Sequence, residues 1–226
     1  MAVSKQLVRS KSGLRMVTTS AVMKSPFELE EPQWEADNCC TNCKKCGTRF
    51  DFLKRKHHCR RCGQVFCNSC CDNRLPLPRF AFVDPVRQCG PCSIITKKEN
   101  EFFNKHLKAF LNGGTFTVSV NDNEPELGAM YICKLTPDHK TITFEGGNAT
   151  PVDSFTISSI KDLEILLENS NDKAGVPIGI VVTYYGTENQ VEKVKLLVAA
   201  TPNKKQSIAW IIALQKGISM INNSNG

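Results

Sequence analysis

The sequence predicts two folded parts: a small finger held by two metal ions, then an α+β module of seven strands closed by a C-terminal helix. Three observations predict this. Four Cys-x-x-Cys pairs, Cys43/Cys46, Cys59/Cys62, Cys67/Cys70 and Cys89/Cys92, fall between residues 43 and 92. From Thr115, runs rich in Val, Ile, Thr and Phe alternate with turn clusters such as Thr136-Pro137-Asp138 and Glu145-Gly146-Gly147, the pattern of short antiparallel strands. After Thr201-Pro202, the residues Ile208, Ile211, Ile212, Ile218 and Ile221 form an apolar helical face beside Trp210.

The cysteines come first in the argument. Eleven of the twelve lie between Cys39 and Cys92. Disulfides suit a secreted chain, but residues 1–23 hold no apolar stretch of secretory length and no run is long enough to span a bilayer. In a reducing compartment, paired cysteines point to metal. Eight thiolates supply ligands for two tetrahedral Zn2+ ions. Cys40 also stands three residues before Cys43, so Cys40/Cys43 is a rival first pair, and Cys39, Cys71 and Cys133 are left over as free thiols. Phe50, Val65, Phe66 and Leu75 are the core such a segment can offer, and metal replaces the rest. Gly47 and Gly63 each follow a cysteine, where a knuckle turn favours positive φ.

Charge is placed unevenly. Of the net +7, residues 34–92 carry +6, residues 1–33 carry +2 and residues 93–226 carry −1. A basic finger attracts phosphate. Residues 1–33 read as a flexible basic tail, 34–96 as the finger, 97–112 as a linker helix and 113–226 as the module. Helical spacing of Ile95, Phe102, Phe103, Leu107, Phe110 and Leu111 predicts a helix over about 93–111, ended by Asn112-Gly113-Gly114. The strands are predicted at 115–120, 130–135, 141–145, 154–160, 163–168, 178–185 and 191–198. Thr201 is expected to cap the last helix, with Pro202 at its first position.

Three motifs give the finger a family resemblance. They are Trp34-Glu35-Ala36-Asp37, the basic run Arg55-Lys56-His57-His58-Cys59-Arg60, and Arg87-Gln88-Cys89. Residues 34–92 resemble a FYVE zinc finger, whose signatures are WxxD, (R/K)(R/K)HHCR and RVC, with Gln88 where the family has Val. The twelve residues between Cys46 and Cys59 also suit the family and favour Cys43/Cys46 as the first pair. The resemblance implies a binuclear, cross-braced finger: Cys43, Cys46, Cys67 and Cys70 on one zinc, Cys59, Cys62, Cys89 and Cys92 on the other. Spacing alone leaves sequential pairing open. The seven strands with a closing helix bearing Trp210 resemble a pleckstrin-homology-like domain.

The resemblance also implies a ligand, phosphatidylinositol 3-phosphate in membranes. Arg55, Lys56, Arg60 and Arg87 can donate charge-assisted hydrogen bonds to phosphate, as can His57 and His58 when protonated. Asp37, acceptor-only when ionised, suits sugar hydroxyls. Phe52 and Leu53 are the expected membrane-insertion loop, and head group plus insertion make a reversible anchor. A FYVE finger with a pleckstrin-like module in so short a chain resembles proteins associated with endosomes and cell-adhesion turnover. It implies a cytoplasmic, peripheral protein on endosomes, vesicles or adhesions, a protein partner for the C-terminal module among adhesion or endosomal signalling proteins, and a weak dimer on membranes. The acidic loop from Asn121 to Ala129, with no base on strand 115–120, argues against phosphoinositide binding by the module.

Other classes fit less well. A RING-like ubiquitin-ligase finger uses a ligand histidine, whereas all four pairs here are Cys-x-x-Cys. Nucleic-acid binding needs a recognition helix or stacking aromatics in the basic run, and neither is evident. No nucleophile elbow, phosphate-binding loop or dinucleotide turn occurs, and four cysteines leave a zinc no open coordination position; the chain reads as a non-enzyme.

Overall fold

The computed structural model describes residues 5–10, 12–19, 24–120, 129–146, 152–168, 175–187 and 189–223. The chain forms two compact units, Met1–Lys24 with Glu28–Phe103, and Ser25–Phe27 with Asn104–Gly226. The acidic loop expected to disfavour phosphoinositides falls at 121–128, outside the described residues.

The first unit opens with a correction. Part of the expected tail is instead an antiparallel pair of strands, β1 (Lys5–Ser10) and β2 (Gly13–Thr18), pairing Leu7 with Met16 and Arg9 with Leu14. Its polar alternation hides it, because much of the ribbon is exposed and it is held from one side. Met16 N donates to Ala81 O at 2.8 Å, Val83 N to Leu14 O at 3.0 Å and Arg15 Nε to Phe80 O at 2.8 Å. Gly13 sits at φ +142° against Phe82, where a Cβ would come within 3.1 Å of the ring.

Within the finger proper, β3 (His57–His58) pairs with β4 (Val65–Phe66), and β5 (Asn73–Leu75) with β6 (Val86–Gln88). The cysteines themselves form the core around Phe66, with Phe50 at its margin. Val65 is fully buried. A second apolar cluster, Leu77, Phe80, Phe82 and Val86, lies beneath the hairpin. Leu75, expected in the core, is only partly buried.

Helix α1 (Gly90–Glu101) starts three residues before the helix expected over about 93–111, with Pro91 in its first turn. Its buried face is Cys92, Ser93, Thr96 and Glu99, while Ile94 and Ile95 are exposed. Within α1 the buried contacts are polar, and of the apolar residues expected along this helical run Ile95 is exposed while Phe102 and Phe110 are buried. Thr96 Oγ1 donates to Gln88 Oε1 at 2.6 Å, and Glu99 receives both Arg61 and buried Arg79. A π-helical turn (Phe102–His106) and α2 (Leu107–Asn112) follow.

The second unit is a seven-stranded antiparallel sheet: β7 (Gly114–Val120), β8 (Tyr131–Leu135), β9 (Thr141–Gly146), β10 (Phe155–Thr156), β11 (Ile160–Leu167), β12 (Pro177–Tyr185) and β13 (Val191–Val198). The order is β10-β9-β8-β7-β13-β12-β11. Phe155 on edge strand β10 stacks on Tyr184 of β12, 4.3 Å between centroids, across the sheet. The run expected as one strand at 154–160 breaks after Thr156, whose Oγ1 accepts from Ser159 N and closes a 3-10 turn.

Helix α3 (Lys204–Asn222) packs on this sheet. Ser207 Oγ lies 3.0 Å from both Thr115 N and Thr115 O, and Trp210 lies fully buried between Phe110 and Phe116. The buried face is Ser207, Trp210, Ile211, Leu214, Gly217 and Ile218; Ile208, Ile212 and Ile221 sit at its margin. Thr201 does not cap the helix: Asn203 stands at that position, Pro202 belongs to the preceding turn, and Thr201 Oγ1 makes no hydrogen bond among the described residues. Ser25–Phe27, another part of the supposed tail, belongs to this unit; Phe27 is fully buried and Ser25 Oγ lies 3.0 Å from His139 Nδ1. Seven antiparallel strands and a closing C-terminal helix are thus present in the order the sequence predicts.

Candidate metal centre and anion-binding site

Each knuckle is built by its own backbone. Cys43 N donates to Thr48 O and Gly47 N to Cys43 O; Cys59 N donates to Gln64 O and Gly63 N to Cys59 O. Gly47 and Gly63 take φ +69° and +75°, the left-handed region that glycine enters freely. The turns aim sulfurs into two clusters, Cys43/Cys46/Cys67/Cys70 and Cys59/Cys62/Cys89/Cys92, each with ligand atoms within 4.8 Å of one another. The pairs therefore alternate, first with third and second with fourth, as a cross-brace requires.

The donor sets fit zinc. A tetrahedron with Zn–S near 2.3 Å has S···S edges of about 3.8 Å, and Cys46 Sγ and Cys67 Sγ stand 3.8 Å apart. Packed thiols otherwise conflict over protons: hydrogen bonds from Cys62, Cys71 and Cys92 drive Cys59 strongly down, while its bond to Cys59 pushes Cys62 up to about 12. A divalent cation removes that conflict by replacing the protons. Four sulfurs close each site. Cys40 lies outside both clusters, its Sγ 3.7 Å from Glu35 Oε2, and Cys71 is buried next to Cys59.

The basic strand lies against the Trp34–Asp37 segment. Gly63 makes this possible: a Cβ there would come within 2.3 Å of Gln33 O, and Glu35 N donates to Gly63 O. His58 Nε2 donates to Glu35 O at 2.7 Å and lies 3.9 Å from Asp37 Oδ1, with its ring edge-on to Trp34. Lys56 Nζ donates to Asp37 O at 2.5 Å. Arg60 stacks over Trp34 and donates through Nε to Ser12 O and Nη1 to His58 O. Arg87 Nη1 donates to Asn68 Oδ1 at 2.8 Å and Cys71 O at 2.9 Å.

His57 is held below its ordinary pKa, first by desolvation and then by Arg87, Arg60 and Arg74. An open cavity of about 600 Å³ is lined by Thr48, Leu53, Lys54, Arg55, His57, Cys67, Asn68 and Ser69. Of the expected anion-binding residues, Arg55 and His57 line this cavity, Asp37, Lys56, His58 and Arg60 meet around the Trp34–Asp37 segment, and Arg87 reaches the cavity wall through Asn68. His58, Lys56 and Arg60 spend donors on backbone carbonyls, which orients them.

Phe52 and Leu53 are 84% and 77% exposed, so neither packs in the core. Asp51 shapes their turn: Oδ1 accepts from Leu53 N at 2.8 Å and Lys54 N at 2.7 Å. These amides hold its carboxyl below the usual range. The sequence carried that signal, an Asp before a two-residue apolar tip. Asn68 was missed because its partner Arg87 is 19 residues away.

The finger and its two sulfur clusters define a protein of the FYVE class, and the FYVE zinc finger family model matches residues 33–98. The family model for the C-terminus of zinc finger FYVE domain-containing protein 21 matches residues 101–226, more than half the chain. The chain belongs to that family, and its finger binds two zinc ions. Relatives include the phosphatidylinositol-3,5-bisphosphate 3-phosphatase MTMR4 of Mus musculus, 40% identical over 83 residues, covering 36% of this chain and 7% of that protein. RUN and FYVE domain-containing protein 2 of Homo sapiens is 52% identical over 59 residues, covering 26% and 9%. The solution structure of the LM5-1 FYVE domain from Leishmania major is 33% identical, with a TM-score of 0.28, covering 30% of this chain and 80% of that one. The chain therefore spans under a tenth of the length of these two curated relatives. No helix among the described residues is long and apolar enough to cross a membrane.

Proposed function

We propose that the chain is a membrane adaptor that reads phosphatidylinositol 3-phosphate on endosomes through Asp37, Arg55, Lys56, His57, His58, Arg60 and Arg87. One observation carries the reading: a cation-lined cavity adjoins two exposed apolar side chains on a turn that Asp51 holds open. Phosphate binding and shallow insertion then act together, each a modest signal and jointly an anchor. The C-terminal module engages a protein partner, in cell-adhesion turnover and motility.

The test is vesicle flotation of the zinc-loaded full chain. Phe52→Ala with Leu53→Ala is expected to weaken vesicle binding strongly and leave binding to soluble inositol 1,3-bisphosphate unchanged. Equal losses in both assays would exclude insertion. Wild-type binding that ignores the 3-phosphate lipid would exclude the lipid reading.

A second expectation divides labour between the units. Residues 93–226 carry a net charge of −1 and supply no field to attract an anion. In the full chain, Arg55→Gln with Arg87→Gln is expected to abolish selective phosphoinositide binding altogether. Residual saturable binding to any phosphoinositide would place a second site in the module.

A further inference from the structure

Outside the three motifs, one cation stands out by what faces it. In the β5–β6 ladder, Arg74 is directly opposite Arg87. Val86 and Gln88 on either side of Arg87 are buried, and Arg74 is exposed between partly buried Asn73 and Leu75. Directly opposed residues project to the same face of a strand pair, with Cβ atoms about 4.5–5.5 Å apart, where like charges destabilise. Two guanidinium groups are therefore set side by side on the outward face of a two-stranded ribbon.

Among the described residues no carboxylate pairs with either. Arg87 is held by Asn68 Oδ1 and Cys71 O, both uncharged acceptors. Arg74 makes no hydrogen bond or ion pair among the described residues, and neither do the described ion pairs include Arg60 or Arg87. The backbone joins this ribbon to the basic strand, because Arg60 N donates to Arg87 O at 3.0 Å. Arg87 is thus linked to Arg74 across the ladder and to Arg60 by a backbone hydrogen bond. Crowded, unpaired cations on a positively charged face form an anion site.

We infer that Arg74 is a further phosphate-binding residue, which with Arg87 grips a second phosphate beside the one read by the basic strand. The inference rests on the lipid reading proposed above. The second phosphate has two possible sources with the same chemistry. One is the phosphodiester of the bound inositol lipid, and the other is the phosphodiester of a neighbouring anionic lipid such as phosphatidylserine. The guanidinium suits either, because it presents paired donors to paired oxygens.

The experiment uses the zinc-loaded full chain as wild type, Arg74→Gln, Arg74→Lys and the charge-matched control Lys97→Gln. Lys97 is an exposed cation on α1. Binding is measured to soluble inositol 1,3-bisphosphate, and to phosphatidylcholine vesicles carrying the 3-phosphate lipid with and without phosphatidylserine. Arg74→Gln is expected to weaken binding about five- to tenfold, the effect of one well-placed basic residue. Arg74→Lys should lose less, and Lys97→Gln little. Loss with the soluble head group assigns the inositol lipid's own diester. Loss confined to vesicles with phosphatidylserine assigns the neighbouring lipid. Both support the inference.

The melting temperature separates binding from folding. Removing one of two opposed like charges should leave it unchanged or raised. A lowered melting temperature, or a loss no greater than that of Lys97→Gln in every arm, would overturn the inference. Wild-type protein that shows no 3-phosphate selectivity would overturn the lipid reading and this inference together.

Discussion

Chelation of the zinc-loaded protein is expected to release two zinc ions per chain and to unfold the finger, while the C-terminal unit keeps its structure. The finger's interior is chiefly its own cysteines around Phe66, so little apolar area remains once the metal leaves. Structural zinc sites contribute about 10–16 kcal/mol in apparent binding, as much as the whole stability of a typical domain. The second unit has an apolar core of its own: Trp210, Ile211, Leu214, Phe116, Ile180 and Leu196 are fully buried in it. Elemental analysis and a nuclear magnetic resonance titration with chelator check this. Signals from β3 to β6 should collapse, and signals from β7 to α3 should persist. One zinc or none in protein purified without chelator would defeat the expectation, as would simultaneous loss of both sets of signals.

Glu99→Ala is expected to cost the first unit about 3–5 kcal/mol, the range for removing one partner of a buried ion pair. Glu99 Oε1 accepts from Arg79 Nη1 at 2.7 Å and from Arg61 Nη2 at 2.8 Å, and Arg61 Nη1 donates to Oε2. Arg79 is 1% exposed and Glu99 9%. Without the carboxylate, two guanidinium groups remain in a site with poor access to water. The penalty is greater than the pair's own attraction because a buried charge left alone cannot recover its hydration. Denaturant unfolding of the zinc-loaded protein measures the loss. Arg79→Met combined with Glu99→Gln should recover part of it, because the double change removes the charges together. A single-mutant loss below about 1 kcal/mol would mean that water already reaches the network.

The same network shows where sequence reading stops. Local patterns are legible because their physics is local. Eight cysteines at Cys-x-x-Cys spacing need only a knuckle turn, and Gly47 and Gly63 have the positive φ that such a turn favours. Phe52-Leu53 between Asp51 and Lys54 reads as an exposed tip, and it is one. The seven strands and the C-terminal helix follow from alternation and turn residues, within one to three residues except where Thr156 closes a 3-10 turn.

Three features were not legible, and each depends on residues far apart in the chain. The β1–β2 hairpin looks like a tail because its own sequence buries little; backbone groups of residues 80–83 hold it. Helix α1 leaves Ile95 exposed and turns Glu99 inward, because Arg61 and Arg79, 38 and 20 residues before Glu99, draw a carboxylate inward. Arg74 is an unremarkable basic residue until β5 pairs with β6 and places it opposite Arg87. By itself the sequence determined the metal, the finger class, the basic strand and the strand-rich module, since each is written in residue type and short spacing. Only the tertiary structure decided which cations are buried against a carboxylate and which have no carboxylate partner among the described residues, because charge pairing is a property of neighbours in space.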